Sequence, residues 1–156
     1  MTVKRVGNGT EPIDLGFTFT DEGGFAIYLI NKTGAASVKG TLVDTKASID
    51  NAVNIVGADE PDIVGVVYEN GIADGDLVLV VISGVAEVLL EDSTASTRGY
   101  WARISITQNG RADITNAAPP GGGVAEIDRH FREIGHCLES KGAGTDVLAK
   151  CILHFN

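Results

Sequence analysis

The middle of the sequence constrains the fold most, because it alternates short apolar runs with glycine-containing breaks. Residues 63–69 (IVGVVYE), 77–82 (LVLVVI) and 85–90 (VAEVLL) are three such runs. Runs of this length are typical of strands, and the continuous apolar run 77–82 predicts a strand that is buried on both faces. Ser83-Gly84 stands between the last two runs, so we predict a hairpin turn there.

Strand character continues on both sides of this region. The other runs that predict strands are residues 25–30, 38–43, 100–107, 136–138 and 147–155. Residues 47–56 fit either a helix or a strand. Ile127 and Phe131 lie four residues apart, which predicts a short helix over 125–132. Many short strands with one or two short helices predict a mainly β fold, a small barrel or sandwich.

Glycine supplies 20 of the 156 residues and proline only 4, a composition typical of tight turns between short strands. Residues 1–24 hold five of these glycines with only scattered apolar side chains between them. Such a segment rarely builds a core of its own. We therefore predict an extended N-terminal arm over residues 1–24 and a single β-rich domain over residues 25–156.

The charge balance excludes two common functions. Lys and Arg number 12 against 21 Asp and Glu, a formal net charge of −9. Nucleic acids and anionic membrane surfaces attract the opposite sign, so we expect neither as a partner. Residues 1–10 lack the apolar stretch of a secretion signal, and no apolar run approaches the ~18 residues of a membrane helix. These features favour synthesis in a cytosol.

Side chains that can bind metals or act as nucleophiles are concentrated near the C-terminus. They comprise three histidines, two cysteines and one glutamate: His130, Glu133, His136, Cys137, Cys151 and His154. These residue types suit a zinc site, but the sequence lacks the paired-ligand spacings of such sites. His136 and Cys137 are neighbours, so they point to opposite faces of a strand, and the same holds for Cys151 and His154, which lie three apart.

We therefore predict no metal, no cofactor and no catalytic residues, with both cysteines acting as small apolar core residues. A single Cys137–Cys151 disulfide is the alternative for the thiols. A small metal-dependent or thiol enzyme is the alternative for the whole C-terminal group. The paired carboxylates lie in predicted turns, where solvated charge is the simpler interpretation: Asp59 with Glu60, Asp74 with Asp76, and Glu91 with Asp92.

One candidate interface lies in the arm. Four apolar side chains are spaced by two, as on an extended strand: Ile13, Leu15, Phe17 and Phe19. We predict that this segment pairs as an added strand on a neighbouring subunit or on a larger shell. The alternative is that it forms the first strand of the chain's own sheet.

A second candidate interface surrounds the only tryptophan of the sequence. Arg98, Tyr100 and Trp101 belong to the residue types that dominate the binding energy of protein interfaces. Trp101 in the core is an equally good interpretation. We predict that these three residues contribute to an interaction surface.

Two segments resemble phage structural proteins. Residues 64–92 are similar to the core of small phage head-decoration proteins, also called capsid cement proteins, in three features. These are the strand Val64-Gly65-Val66, the turn Gly75-Asp76-Leu77 and the run that begins Gly84-Val85. Residues 130–156, which end in ILHFN, are similar to the ends of other phage structural proteins. The two segments span 29 and 27 residues.

The resemblance implies a β-rich protein without catalytic residues that sits on the outer capsid surface of a virion. Its implied partner is the major capsid protein, and its implied state is a homo-oligomer, for which a homotrimer is the expectation. The protein would be made in the host cytoplasm and assembled onto the shell. Another virion part, such as a head-fibre base or a tail adaptor, is the alternative.

Overall fold

The computed structural model describes residues 16–117 and 130–155. These residues contain ten strands. The strands are β1 (Phe17–Phe19), β2 (Gly24–Asn31), β3 (Leu42–Thr45), β4 (Ala52–Ile55), β5 (Gly65–Val67), β6 (Leu77–Leu89), β7 (Trp101–Ile104), β8 (Ala112–Thr115), β9 (Glu133–Cys137) and β10 (Leu148–Leu153). Residues 130–131 are helical, and residues 125–129 of the predicted helix lie outside the described residues.

All ten strands belong to one sheet, in the order β1-β2-β4-β3-β5-β6-β10-β9-β7-β8. An additional pairing between β2 and β6 closes β2, β4, β3, β5 and β6 into a ring. The strands β10, β9, β7 and β8 extend the sheet from the second half of β6. The predicted mainly β fold is therefore confirmed, and the partial ring is consistent with a small barrel or sandwich.

The predicted hairpin at Ser83-Gly84 is wrong, because β6 runs without interruption from Leu77 to Leu89. A type I′ turn needs positive φ at both central residues, and here only Gly84 has it, with φ of +81°. Gly84 lies directly opposite Gly24, and a Cβ on it would come within 2.6 Å of the Gly23 carbonyl oxygen. The glycine therefore allows β2 and β6 to approach closely at the end of their antiparallel pairing, and from Gly84 onward β6 pairs with β10.

The double-sided burial of residues 77–82 is confirmed for most of the run. Leu79 and Val81 pack into the larger core cluster, whereas Val78 and Val80 pack into the smaller one on the opposite face. All four are buried. The larger cluster also takes in side chains from β7, β9 and β10, so β6 joins the ring to the rest of the sheet.

The remaining strand predictions differ in their outcome. Residues 25–30 form most of β2, as predicted, whereas only the last two residues of the predicted strand 38–43 lie in β3. The ambiguous segment 47–56 is a turn followed by β4, with Asn51 at a φ of +58°. Strand β8 was missed, because its short sequence ADIT carries little apolar character.

Candidate functional site

The outer face of the second half of the sheet carries an aromatic and histidine cluster. Strand pairing places Ile152 of β10 beside His136 of β9, and His136 beside Trp101 of β7. Paired residues of neighbouring strands share a face, so these three side chains form a row across the sheet. The row is accessible, since Ile152 is 43% exposed and both other side chains are partly exposed.

The two histidines of this face contact each other directly. Nδ1 of His136 and Nε2 of His154 are 2.9 Å apart, which is hydrogen-bond distance. The Trp101 ring contacts His136 in a tilted arrangement, with centroids 3.9 Å apart and planes inclined by 43°, and meets His154 edge-on at 6.1 Å. The backbone N–H of His154 donates to the carbonyl oxygen of Ile134, which fixes this end of β10 against β9. We call Trp101, His136 and His154 the Trp–His cluster.

The cysteines lie on the opposite face, as the strand period requires. Cys137 and Cys151 are paired across β9 and β10, and their Sγ atoms are 3.9 Å apart in the core. Both thiols are free. The hydrogen bond between them lowers the pKa of Cys137 and, together with burial, raises that of Cys151. The expectation that His136 and Cys137 cannot face one metal is confirmed.

Replacing Cys137 and Cys151 with alanine tests whether the thiols act only as core filling. We expect the double variant to fold, with a loss of about 1–3 kcal/mol in unfolding free energy from the lost packing. Urea unfolding measures this loss. The Cys→Val pair is the control, because it restores volume without the thiol and should recover part of the stability. A loss of folding in both variants would contradict this role.

The first strand presents a second exposed aromatic surface. Phe17 and Phe19 of β1 are 57% and 73% exposed, and their ring centroids lie 5.5 and 5.6 Å from that of Phe25. Strand β1 pairs with β2 of the same chain and stands at one end of the strand order. β1 therefore forms the first strand of the chain's own sheet, which was the alternative to pairing with a neighbouring subunit. We call Phe17, Phe19 and Phe25 the β1 aromatic patch.

An apolar groove adjoins this patch. Its cavity of about 320 Å³ lies beside β2 and β4 and is lined by side chains that include Ile27, Leu29, Ile49 and Val64. Ile27 is the strand partner of Phe17, so groove and patch are continuous along the edge of β2. The two other predicted arm residues, Ile13 and Leu15, lie outside the described residues.

The predicted group of Arg98, Tyr100 and Trp101 is only partly brought together. Arg98 and Tyr100 precede β7, where Arg98 Nε donates to the Leu138 carbonyl oxygen and Tyr100 is 36% exposed. Trp101 instead joins the histidines. Its membership in the Trp–His cluster was missed, because it depends on the pairing of β7 with β9, which joins strands about 30 residues apart in the sequence.

The paired carboxylates of the sequence make contacts within the chain that hold loops in place. Glu91 accepts hydrogen bonds from Ser105 and Thr107. Three others form ion pairs: Asp59 with Arg132, Asp74 with Lys32, and Asp92 with Arg111. The two hydrogen bonds tie Glu91, just after β6, to the segment that follows β7.

Asp44 on β3 carries a carboxylate in an unfavourable setting. Its Oδ1 atom is buried without a hydrogen-bond partner among the described residues. Burial raises its pKa, and the negative charge of Glu60 raises it further. Since the folded pKa lies above the unfolded one, ionised Asp44 costs stability at neutral pH. That cost begins to fall as the pH drops through the folded pKa and is gone below the unfolded pKa.

We therefore expect Asp44→Asn to stabilise the protein at pH 7, by about 0.5–1 kcal/mol once solvent screening is included. Urea unfolding at pH 7 and at pH 3 measures the effect, and the two proteins should converge at the lower pH. Asp50→Asn, a change of equal charge on the exposed turn before β4, is the control. Destabilisation by Asp44→Asn at pH 7 would show that the carboxylate has a stabilising partner.

Comparisons with known proteins assign no family to this chain. No protein-family model matches it, and no curated protein matches it significantly. Across residues 16–117 and 130–155, no helix is long and apolar enough to cross a membrane. Within the same ranges, no group of three or more His, Cys, Asp and Glu side chains has the arrangement of a metal site.

Proposed function

We propose that this protein is a virion structural protein, a capsid decoration or cement protein that binds the outer surface of a shell and stabilises it. The observation that carries the proposal is the β1 aromatic patch. Two of its phenylalanines, Phe17 and Phe19, are largely exposed on a strand at one end of the strand order. The resemblance of residues 64–92 and 130–156 to phage structural proteins supports the choice of a capsid as the partner.

Exposed phenylalanines on an edge strand favour binding over a role in the chain's own core. Burying a phenylalanine side chain contributes about 1.5–3 kcal/mol, so Phe17 and Phe19 together offer a substantial part of a binding energy. Among the described residues β1 pairs on one side only, with β2, and a strand with a free side can accept a partner strand. The patch and the adjoining groove therefore suit a protein partner with an extended apolar segment.

Ion pairs anchor the turn between β1 and β2 to the body of the sheet. Lys39 Nζ lies 3.1 Å from Glu22 in the turn and 2.7 Å from Glu87 on β6. Burial alone would raise the pKa of Glu22, but its hydrogen bond with Lys39 and further favourable contacts lower it overall. An anchored turn lowers the backbone ordering that docking of β1 requires.

The net charge of −9 agrees with a place on the outside of the shell. A protein on that surface need not contact the packaged nucleic acid, whose phosphates would repel it. The proposed partner is the major capsid protein, and the proposed state is a homo-oligomer, with a homotrimer as the first expectation.

Binding to undecorated capsids tests the proposal. Purified protein mixed with such capsids should sediment with them, saturate, and bind in a fixed ratio to the capsid subunits. Without capsids, sedimentation velocity at micromolar concentration should show a homo-oligomer. Antibody labelling of virions should mark the whole shell. Absence of capsid binding would overturn the proposal, and label confined to the tail or one vertex would favour a tail adaptor or head-fibre base.

A further inference from the structure

We propose that His136 and His154 form a bidentate site for a divalent transition-metal ion of the Ni²⁺ and Cu²⁺ class. The ligands are Nδ1 of His136 and Nε2 of His154, which lie 2.9 Å apart on the outer face of the sheet. This proposal goes beyond the proposed capsid role and does not depend on it. Imidazole nitrogen is the protein ligand that suits nickel, copper and zinc.

The separation of the two nitrogens is already close to the separation needed for binding at a right angle. With each metal–nitrogen bond at about 2.0–2.1 Å, nitrogens 2.9 Å apart subtend about 90° at the metal. Square-planar and octahedral ions require that right angle. A tetrahedral ion would need the nitrogens about 3.3 Å apart. Binding breaks the hydrogen bond between the two rings, because both lone pairs must converge on the ion. His154 is the exposed partner and can make most of that turn.

The surroundings of the pair favour a shallow and accessible site. His154 is exposed and His136 is partly exposed, so the ion can enter from solvent and keep water at its other positions. The Trp101 ring lies against His136 and restricts its movement, as a supporting residue does for a ligand. Cys137 and Cys151 point into the core on the opposite face and do not compete as ligands.

Trp101 gives a direct readout, because it is the only tryptophan of the sequence and its ring centroid lies 3.9 Å from that of His136. A paramagnetic ion on the histidine pair should quench its fluorescence. We choose Ni²⁺ as the probe, since it does not oxidise thiols as Cu²⁺ does. Titration of the untagged full chain with Ni²⁺ should give saturable quenching at one ion per chain, reversed by a chelator.

Variants separate the site from general surface binding. His136→Gln and His154→Gln should each weaken Ni²⁺ binding by about tenfold or more, which is the loss known even for residues that only support a metal ligand. His130→Gln is the matched control, because it removes the third histidine and leaves the pair intact. Saturable quenching that is unchanged in the double variant His136→Gln/His154→Gln would overturn the proposal.

Thermal unfolding provides a second measurement that does not depend on the tryptophan. An ion that binds only the folded chain raises the melting temperature in proportion to the logarithm of its concentration. We expect that rise in the wild type and in His130→Gln, and in His154→Gln only at Ni²⁺ concentrations about tenfold or more higher. Each variant's melting temperature without Ni²⁺ shows whether it is folded. A folded wild type with no quenching and no rise at millimolar Ni²⁺ would refute the site.

Discussion

Replacing Gly135 with alanine is expected to remove a large part of the protein's stability. Gly135 lies in β9 between Leu153 of β10 and Ala102 of β7, with a φ of +150°. A Cβ at this position would stand 1.9 Å from the Ile152 carbonyl oxygen, which belongs to the backbone and cannot rotate away. The strands would have to separate, and the paired backbone groups beside His136 would separate with them.

Backbone strain and overpacking each cost about 1–3 kcal/mol, so Gly135→Ala should lose roughly 2–6 kcal/mol of unfolding free energy. That is a large share of the roughly 5–15 kcal/mol typical of a whole domain. Urea unfolding followed by circular dichroism measures the loss. Expression only as insoluble protein would be the extreme form of the same result.

Gly99→Ala is the matched control for backbone strain without a clash. Gly99 also has positive φ, at +84°, but nothing lies within 4 Å of the position its Cβ would occupy. We expect it to cost only about 1–2 kcal/mol. Equal losses in the two variants would contradict the close approach of Ile152 to Gly135.

The sequence predicted strand content well because local apolar runs largely determine which segments form strands. It failed at Ser83-Gly84, where a dipeptide that can form a hairpin turn instead permits a close approach of two paired strands. The deciding factor is Gly24, about 60 residues earlier, whose backbone occupies the space beside Gly84. A local pattern cannot distinguish a turn from a continuous strand when the difference lies in a distant strand.

The candidate surfaces were predictable to different degrees. The two-residue spacing of Phe17 and Phe19 showed that they share one face of a strand, but it could not show which strand they pair with. The separation of His136 from Cys137 followed from the strand period alone. The contact of His136 with Trp101 depends on a register shift in the pairing of β7 and β9, and local apolar patterns do not specify that register.

The second large effect is expected at the β1 aromatic patch, and this expectation rests on the proposed capsid role. Phe17→Ser with Phe19→Ser should leave the fold intact, because both side chains are mainly exposed. If both rings are buried on the capsid, their loss removes about 3–6 kcal/mol of binding. That corresponds to roughly a 10²- to 10⁴-fold weaker affinity. Cosedimentation with undecorated capsids measures the change, and sedimentation velocity shows whether self-association is lost as well.

Ile106→Ser is the control for this double variant. Ile106 is 54% exposed, close to the value for Phe17, but it lies outside the strands, after β7. The control should bind capsids as the wild type does. Wild-type binding by the folded Phe variant would exclude the patch as the contact and leave the Trp–His face as the next surface to test. If the Phe17→Ser/Phe19→Ser variant unfolds, the two rings stabilise the chain's own sheet. Rings that serve only for docking can be removed without loss of the fold.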